Sequence, residues 1–153
     1  MVSLVPMNEA ELQAFLDELI PHYAQEKVES GVWREEEALA LSREAILRLL
    51  PDGLDTADQY LYMIEETGGV RIGYIWLYVD PGKREAFLYE INLYEEWRGR
   101  GLGKDTMAAM EEKAKELGAR AVGLHVFAHN QRALALYEKS GYHATDITMK
   151  KYL

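Results

Sequence analysis

Hydrophobic residues near the start of the chain have the spacing of a short strand followed by a surface helix. The apolar run Val2 to Pro6 predicts the strand, and Asn8 is expected to cap the helix. The apolar face of the helix carries Leu12, Phe15, Leu16, Leu19 and Tyr23. Pro21 is expected to kink or break this helix, because proline donates no backbone hydrogen bond. A second helix is predicted around Glu35 to Leu50, where Pro51-Asp52-Gly53 stops it.

Three extended runs with turn residues between them follow, a pattern typical of an antiparallel meander. The runs are Tyr60 to Glu66, Val70 to Val79 and Glu85 to Leu93. Within the second run, the segment Ile72 to Tyr78 is apolar at both sets of alternating positions. A strand can be apolar on both faces only where the sheet is covered on both sides. The second strand is therefore predicted to be central.

The remaining chain alternates between helical and extended patterns. We predict a helix from about Gly103 to Leu117, a strand from Ala121 to Phe127, a helix from about Gln131 to Ser140 and a last strand from Tyr142 to Tyr152. This element order indicates a mixed α/β (α+β) fold, with a mainly antiparallel central sheet and helices on both faces.

Length and composition predict the number of domains and the cellular compartment. The 153 residues, 48% of them hydrophobic, suit one compact domain, and no linker divides them, so residues 1–153 are expected to form a single domain. No run approaches the roughly 20 apolar residues that cross a bilayer. The first residues show no secretory pattern, and the chain has no cysteine. A cytoplasmic protein without disulfides or a catalytic thiol is expected.

The net charge of −9, from 17 Lys+Arg and 26 Asp+Glu, narrows the choice of partners. It argues against nucleic acid, whose phosphate backbone attracts basic proteins, and favours a cationic small substrate. An acidic surface also keeps proteins soluble, so the charge alone does not decide between these readings. No membrane partner is expected, and a homodimer stays open.

A glycine-rich segment, Leu93 to Lys104, joins a predicted strand to a predicted helix. Such a junction aims free backbone N–H groups at one point, and the helix dipole adds positive potential, so an anionic phosphate is the expected ligand. A simple turn with a helix cap is the alternative. The spacing matches neither the Walker loop nor the dinucleotide fingerprint, which argues against ATP and NAD.

Two motifs resemble the GNAT superfamily of acetyl-CoA-dependent N-acetyltransferases. Arg98-x-x-Gly101-x-Gly103 is similar to the pyrophosphate loop of that superfamily. Further on, the segment from Asn130 to Tyr142, which contains Tyr137, is similar to its second cofactor segment. The resemblance implies a transferase, specifically an acyltransferase, that moves an acetyl group from acetyl-CoA directly to a small-molecule or peptide amine, with no metal.

The resemblance also implies a role for each matching residue. The backbones of Ile91 and Leu93 would bind the pantetheine arm, Asn130 would bind the pantetheine or phosphate region, and Tyr137 would protonate the departing thiolate. The pyrophosphate would be held by a loop made of Arg98, Gly99, Arg100, Gly101, Leu102, Gly103 and Lys104. Without the motifs, Asn130 would be a helix cap and Tyr137 a core aromatic.

The reaction also needs a general base, because an alkylammonium with a pKa near 10.4 is almost fully protonated at neutral pH. His125 lies in a predicted strand, and a histidine's usual pKa near 6.5 suits this work. Glu90 is the other candidate, a lone carboxylate in an apolar strand. An ordinary glutamate would give a pH–rate limb below that of a histidine. The choice between them stays open.

The rival interpretations use the same cofactor site. A non-catalytic acyl-CoA-binding or sensing module would keep the phosphate loop and could dispense with the acid and base. Another acyl-CoA, or a protein N-terminus as acceptor, is a further alternative. The sequence shows no motif that identifies the acceptor, and no histidine has a partner at metal-ligand spacing.

Overall fold

The computed structural model describes all 153 residues, which fold around one five-stranded sheet. Its strands are β1 (Val2–Pro6), β2 (Gln59–Glu66), β3 (Val70–Asp80), β4 (Glu85–Leu93) and β5 (Ala121–Leu124). They lie side by side in chain order, and every neighbouring pair is antiparallel except β4 and β5, which are parallel. The predicted mixed, mainly antiparallel sheet is confirmed, and β3 is its central strand.

Helices cover both faces of the sheet, as the sequence predicts. They are α1 (Glu9–Glu29), α2 (Glu35–Leu49), α3 (Leu102–Glu116) and α4 (Gln131–Lys139), with short 3-10 turns at Gly53–Asp55 and Glu95–Trp97. Alternate side chains of β3 enter two separate cores: Trp76 packs with residues of α1 and α2, whereas Ile75 packs with Met107 and Met110 of α3. None of these helices has the length and apolar character needed to cross a membrane.

The expectation that Pro21 breaks the first helix is wrong, since α1 continues through it to Glu29. Proline removes only one helical hydrogen bond, whereas buried residues on both sides of it, among them Ile20 and Ala24, hold the helix against the core. The buried hydroxyl of Ser42 in α2 also donates to the carbonyl of Ile20 at 2.7 Å. The last two turns of α1 consequently reach the mouth of the cleft described below.

Two strand predictions at the end of the chain also fail. β5 ends at Leu124 rather than Phe127, and residues 142–153 form no strand. The tail makes no ladder with β5, and Ile147 and Met149 are 76% and 89% exposed. Lys150 instead donates to the carbonyl of Gly31, 3.3 Å away. Alternating apolar residues suit a strand, but without a paired edge they do not form one.

β4 continues beyond the end of β5, and a cleft opens along the unpaired part of β4. β5 pairs with β4 only along Glu85 to Leu88, so the rest of β4 has a free edge on that side. The register of β4 with β3 shifts at the same place, which leaves Tyr89 as the extra residue of a β-bulge. A bulge bends its strand and re-aims the side chains that follow. Glu90 and its successors therefore lie beside an open cleft.

Candidate active site

A cleft of about 670 Å³ lies where the two strands separate. Residues of α1, β4, the segment after β5, the glycine-rich loop, α3 and α4 form its walls. The predicted site residues that line it are Glu90, Ile91, Leu93, Arg98, Gly99, Gly103, His125, Asn130 and Tyr137. Arg100, Gly101, Leu102 and Lys104 belong to the same loop and helix start but do not line the cleft. The fold thus brings together residues from both sequence motifs.

The start of α3 and the loop before it carry a row of free backbone donors, and Gly99 and Gly103 of this row line the cleft. No protein group accepts a hydrogen bond from the amides of Gly99 to Lys104. Gly99 and Gly101 have positive φ values of 74° and 78°, and Gly101 is the helix cap without a capping side chain. Free amides at the positive end of a helix dipole form an anion-binding site.

Arg98 is fixed by the end of β4. Its Nε donates to the carbonyl of Leu93 at 2.8 Å, and its Nη2 donates to Oδ1 of Asn92 at 2.9 Å. Arg100 lies over the ring of Trp97, with 4.8 Å from its guanidinium carbon to the ring centroid. These contacts shape the loop and leave its backbone amides free for an anion.

The free edge of β4 presents backbone groups of the two predicted strand residues. The amide of Tyr94 donates to Ile72 of β3 at 2.8 Å. Because backbone groups alternate in direction along a strand, those of Ile91 and Leu93 point away from β3 and toward the cleft. Arg98 already occupies the carbonyl of Leu93. The amide of Leu93 and the carbonyl of Ile91 stay available to a ligand that lies along this edge.

Asn130 combines a structural role with a place in the cleft wall. Its Oδ1 accepts from the amide of Ala133 at 3.2 Å, which makes it the cap of α4. The predicted helix cap is therefore confirmed. Its side-chain nitrogen makes no hydrogen bond within the chain and borders the cleft.

Glu90 is a largely buried carboxyl group in the cleft wall. Burial first, and then the like charges of Glu26 and Glu18, together raise its pKa to about 8, against a lowering by the adjacent amide of Ile91. This pKa lies well above that of an ordinary glutamate, which is the value assumed when Glu90 and His125 were compared as bases. Glu90 is thus about 10% ionised one pH unit below 8 and becomes a competent base as the pH rises.

Tyr137 lies on α4 in the same cleft. Burial raises its pKa to about 12, with smaller contributions from the charges of Glu90 and Glu26. The phenol is therefore fully protonated at neutral pH. Its hydroxyl donates to no protein acceptor, whereas the hydroxyl of Tyr142 donates to Glu111. Tyr137 carries a proton that is free to be donated to a ligand.

His125 occupies a different environment. It follows the last residue of β5 and is exposed, and its ring meets the ring of Phe127 edge-on with 4.8 Å between centroids. It makes no hydrogen bond or ion pair with another side chain. Glu90, not His125, is therefore the candidate base that the fold places among the groups acting on Tyr137.

The last turns of α1 contribute polar residues that the sequence analysis missed. Nε2 of His22 lies 2.8 Å from Glu26, and Nε2 of His129 lies 3.6 Å from Glu26 and 3.2 Å from Glu29. These residues were missed because Pro21 was expected to interrupt the helix before it reached the cleft. The spacing of Glu26 and Glu29 on one helical face, beyond Pro21, was the available signal.

Comparisons with known proteins agree with this arrangement. A family model described as the acetyltransferase (GNAT) family matches residues 14–142. The chain is 41% identical over 153 residues to YdgE, an uncharacterized N-acetyltransferase of Bacillus subtilis (strain 168), with 99% of this chain and 98% of that protein covered.

Two solved structures show the same fold. The crystal structure of YycN, an acetyltransferase by its description, from Bacillus subtilis, superposes with a TM-score of 0.96 at 39% identity and covers 100% of this chain and 99% of that one. A spermidine N-acetyltransferase from Vibrio cholerae, in complex with CoA and spermine, gives a TM-score of 0.64 at 19% identity, with 92% and 79% covered. At this identity, the comparison with the Vibrio cholerae enzyme shows a shared fold and nothing more.

Proposed function

Since the chain belongs to the GNAT family of acetyltransferases, we propose that it transfers an acetyl group from acetyl-CoA directly to an amine in this cleft. The observation that carries the proposal is the row of free amides from Gly99 to Lys104, of which Gly99 and Gly103 line the same cleft as Glu90 and Tyr137. An anion site next to a base and an acid is the arrangement that acyl transfer from a phosphate-bearing thioester requires.

In this proposal, acetyl-CoA binds along the line of the free backbone groups. The amides of the loop and of the first turn of α3 hold the pyrophosphate, and the pantetheine arm lies along β4 at Ile91 and Leu93. Asn130 uses its free side-chain nitrogen on the same arm. The CoA complex of the Vibrio cholerae enzyme, which has this fold, supports a CoA site here.

Glu90 serves as the general base. The acceptor's neutral nitrogen attacks the thioester carbonyl carbon, the C–N bond forms and the C–S bond breaks, and the proton lost by nitrogen passes to Glu90. A pKa of about 8 narrows the gap between Glu90 and an alkylammonium, whose pKa is about 10.4, from about 6 units to about 2. Burial therefore makes Glu90 a stronger base than a solvated carboxylate.

Tyr137 assists the leaving thiolate. Its pKa of about 12 keeps the phenol protonated, so it can donate a hydrogen bond to the developing sulfur anion and give it a proton as the C–S bond breaks. A thiolate, whose thiol has a pKa near 8.5, is a weaker base than a tyrosinate, so this transfer is completed only as Tyr137 regains a proton from solvent. The products are an N-acetylamine and CoA thiol, and the proton on Glu90 returns to solvent.

Binding of CoA to wild type and to Gly103→Asp tests the cofactor site. A Cβ at position 103 would lie 3.6 Å from Leu136, an ordinary contact, and a negative charge in the first turn favours a helix. The Asp variant is thus expected to fold and to repel the pyrophosphate. At a hundredfold excess over Kd, CoA should stabilise wild type by about 2.7 kcal/mol, raising its Tm by about 5–10 °C.

Gly103→Ala is the matched control, because it adds the Cβ without the charge. We expect it to keep most of the CoA-induced shift, whereas Gly103→Asp should lose nearly all of it at an unchanged Tm of the free protein. A wild-type Tm that does not move at millimolar CoA would refute the cofactor assignment.

A further inference from the structure

A second cavity, of about 310 Å³, adjoins the cleft at the end of α1. Its six lining residues include no hydrophobic one: His22, Gln25, Glu26, Glu29, His129 and Asn130. His22, Glu26 and Asn130 also line the main cleft, so the two spaces adjoin along these residues. We call the second cavity the antechamber.

Carboxylates dominate the charge of the antechamber. The Glu26 side chain is 15% exposed and that of Glu29 is 50% exposed. Their side-chain contacts are the imidazoles of His22 and His129 and the amide of Gln25, and neither carboxylate pairs with a lysine or an arginine. Lys27, the basic residue between them, lies over the rings of Tyr23 and Trp33 instead.

The carboxyl group of Glu90 provides an independent indication of a cation. It is largely buried in the adjoining cleft, and no side chain donates a hydrogen bond to it or pairs with it. Glu26 acts on it as a like charge. Buried carboxylates that repel each other are stabilised when a cation lies between them. Arg98, one of two arginines in the cleft wall, is held by β4; the other, Arg132, is exposed on α4.

We propose that the acceptor carries two cationic amino groups, as in a linear diamine or polyamine, and that the antechamber binds the amino group that does not react. Glu26 and Glu29 hold this second ammonium, while the first amino group extends into the cleft to Glu90. This inference rests on the proposed function and specifies its acceptor class.

The geometry has two consequences for selectivity. The two amino groups must be separated by a carbon chain that spans from Glu29 to Glu90, so activity should pass through an optimum as the chain of a diamine lengthens. Acetylation also removes the positive charge of the reacted nitrogen. The monoacetylated product then has one cation left, and it should be a poor substrate for a second transfer.

The test compares linear diamines of three to eight methylene groups with monoamines of the same length. Release of CoA thiol gives kcat/KM, and mass spectrometry identifies the products. Charge-assisted hydrogen bonds are strong, so we expect each optimal diamine to exceed its matched monoamine by at least about tenfold in kcat/KM, mainly through a lower KM. Only monoacetylated diamine should accumulate.

The Glu29→Gln variant tests whether the preference for diamines arises in the antechamber. It removes one antechamber charge at nearly constant volume and leaves Glu90 in place. It should lower kcat/KM for diamines by about tenfold and leave that for monoamines unchanged. Glu112→Gln is the matched control: Glu112 pairs with Lys115 on the exposed side of α3, and its variant should behave as wild type with both classes.

Each outcome separates the inference from the proposed function. Equal kcat/KM for diamines and monoamines, or a Glu29→Gln variant that affects both classes alike, overturns the inference and leaves acetyl transfer standing. Absence of transfer to every amine overturns both. A diamine preference that Glu29→Gln abolishes, with CoA binding unchanged, supports the antechamber as the site of the second ammonium.

Discussion

At the scale of single residues, Glu90 shows how the fold changes the chemistry of an ordinary side chain. The β-bulge at Tyr89 places the carboxyl group of Glu90 in the cleft wall. Burial of this group, with Glu26 and Glu18 nearby, raises the pKa of Glu90 to about 8. The sequence identifies Glu90 as unusual, a carboxylate inside an apolar strand, but its pKa rises first because the fold buries it in the cleft wall and then because Glu26 of α1 lies near it.

This pKa places the pH–rate limb of Glu90 above that of an ordinary histidine, whereas the sequence alone predicted a limb below it. Because the ionised carboxylate is the active form, kcat/KM should be low at pH 6 and rise through a limb near pH 8. A solvated glutamate would instead give a limb below that of a histidine. Glu90→Gln should abolish the limb and slow transfer by about 10² to 10⁴.

His125→Ala is the comparison variant for the pH profile. His125 is exposed and lies outside the group formed by Glu90, Glu26 and Tyr137, so its removal should leave the limb in place. Loss of the limb in His125→Ala, with an unchanged profile in Glu90→Gln, would transfer the role of base to His125.

Tyr137→Phe removes one oxygen and keeps the ring that packs against the α3 side of the sheet. If the phenol assists the thiolate, transfer from acetyl-CoA should slow by about 10² to 10⁴, while CoA affinity changes little. An aryl thioester, whose thiolate is less basic, should recover part of the rate. Steady-state kinetics with both donors measures this, and near wild-type turnover of acetyl-CoA would return Tyr137 to a packing role.

At the scale of elements, periodicity predicted the helices and the first four strands because their apolar positions repeat with a clear period. β3 is the plainest case, since apolar residues on both faces require a central position, and both of its faces enter cores. The glycine loop could be predicted as well, since the sequence pattern implied a glycine-rich junction between a strand and a helix; in the fold, Gly99 and Gly101 have positive φ there.

The failures share a physical cause, which is that tertiary contacts overrule local preference. Pro21 removes one hydrogen bond, but the buried residues around it keep α1 continuous. The tail from residue 142 has a strand-like pattern without a paired edge. None of these contacts is encoded in sequence spacing alone.

At the scale of the whole molecule, the cleft lies along the part of β4 that β5 does not cover, and residues of both sequence motifs meet there. β4 and β5 separate after Leu88, and the space between them is closed by the loop before α3, by α4 and by the extended α1. The two motifs that resemble the GNAT superfamily meet on its walls, and the family match confirms that resemblance. The acidic end of α1 gives the cleft its affinity for cations in this account.

The central claim is direct acetyl transfer in this cleft, and the most direct test measures both products of a single reaction. Wild-type protein with acetyl-CoA and a linear diamine at pH 8 should yield CoA thiol and N-acetyldiamine in a 1:1 ratio, by thiol titration and mass spectrometry. Glu90→Gln should retain CoA binding and form both products about 10² to 10⁴ times more slowly. Thiol release without any acetylated amine, or CoA binding with neither product across the amine series, would contradict the account.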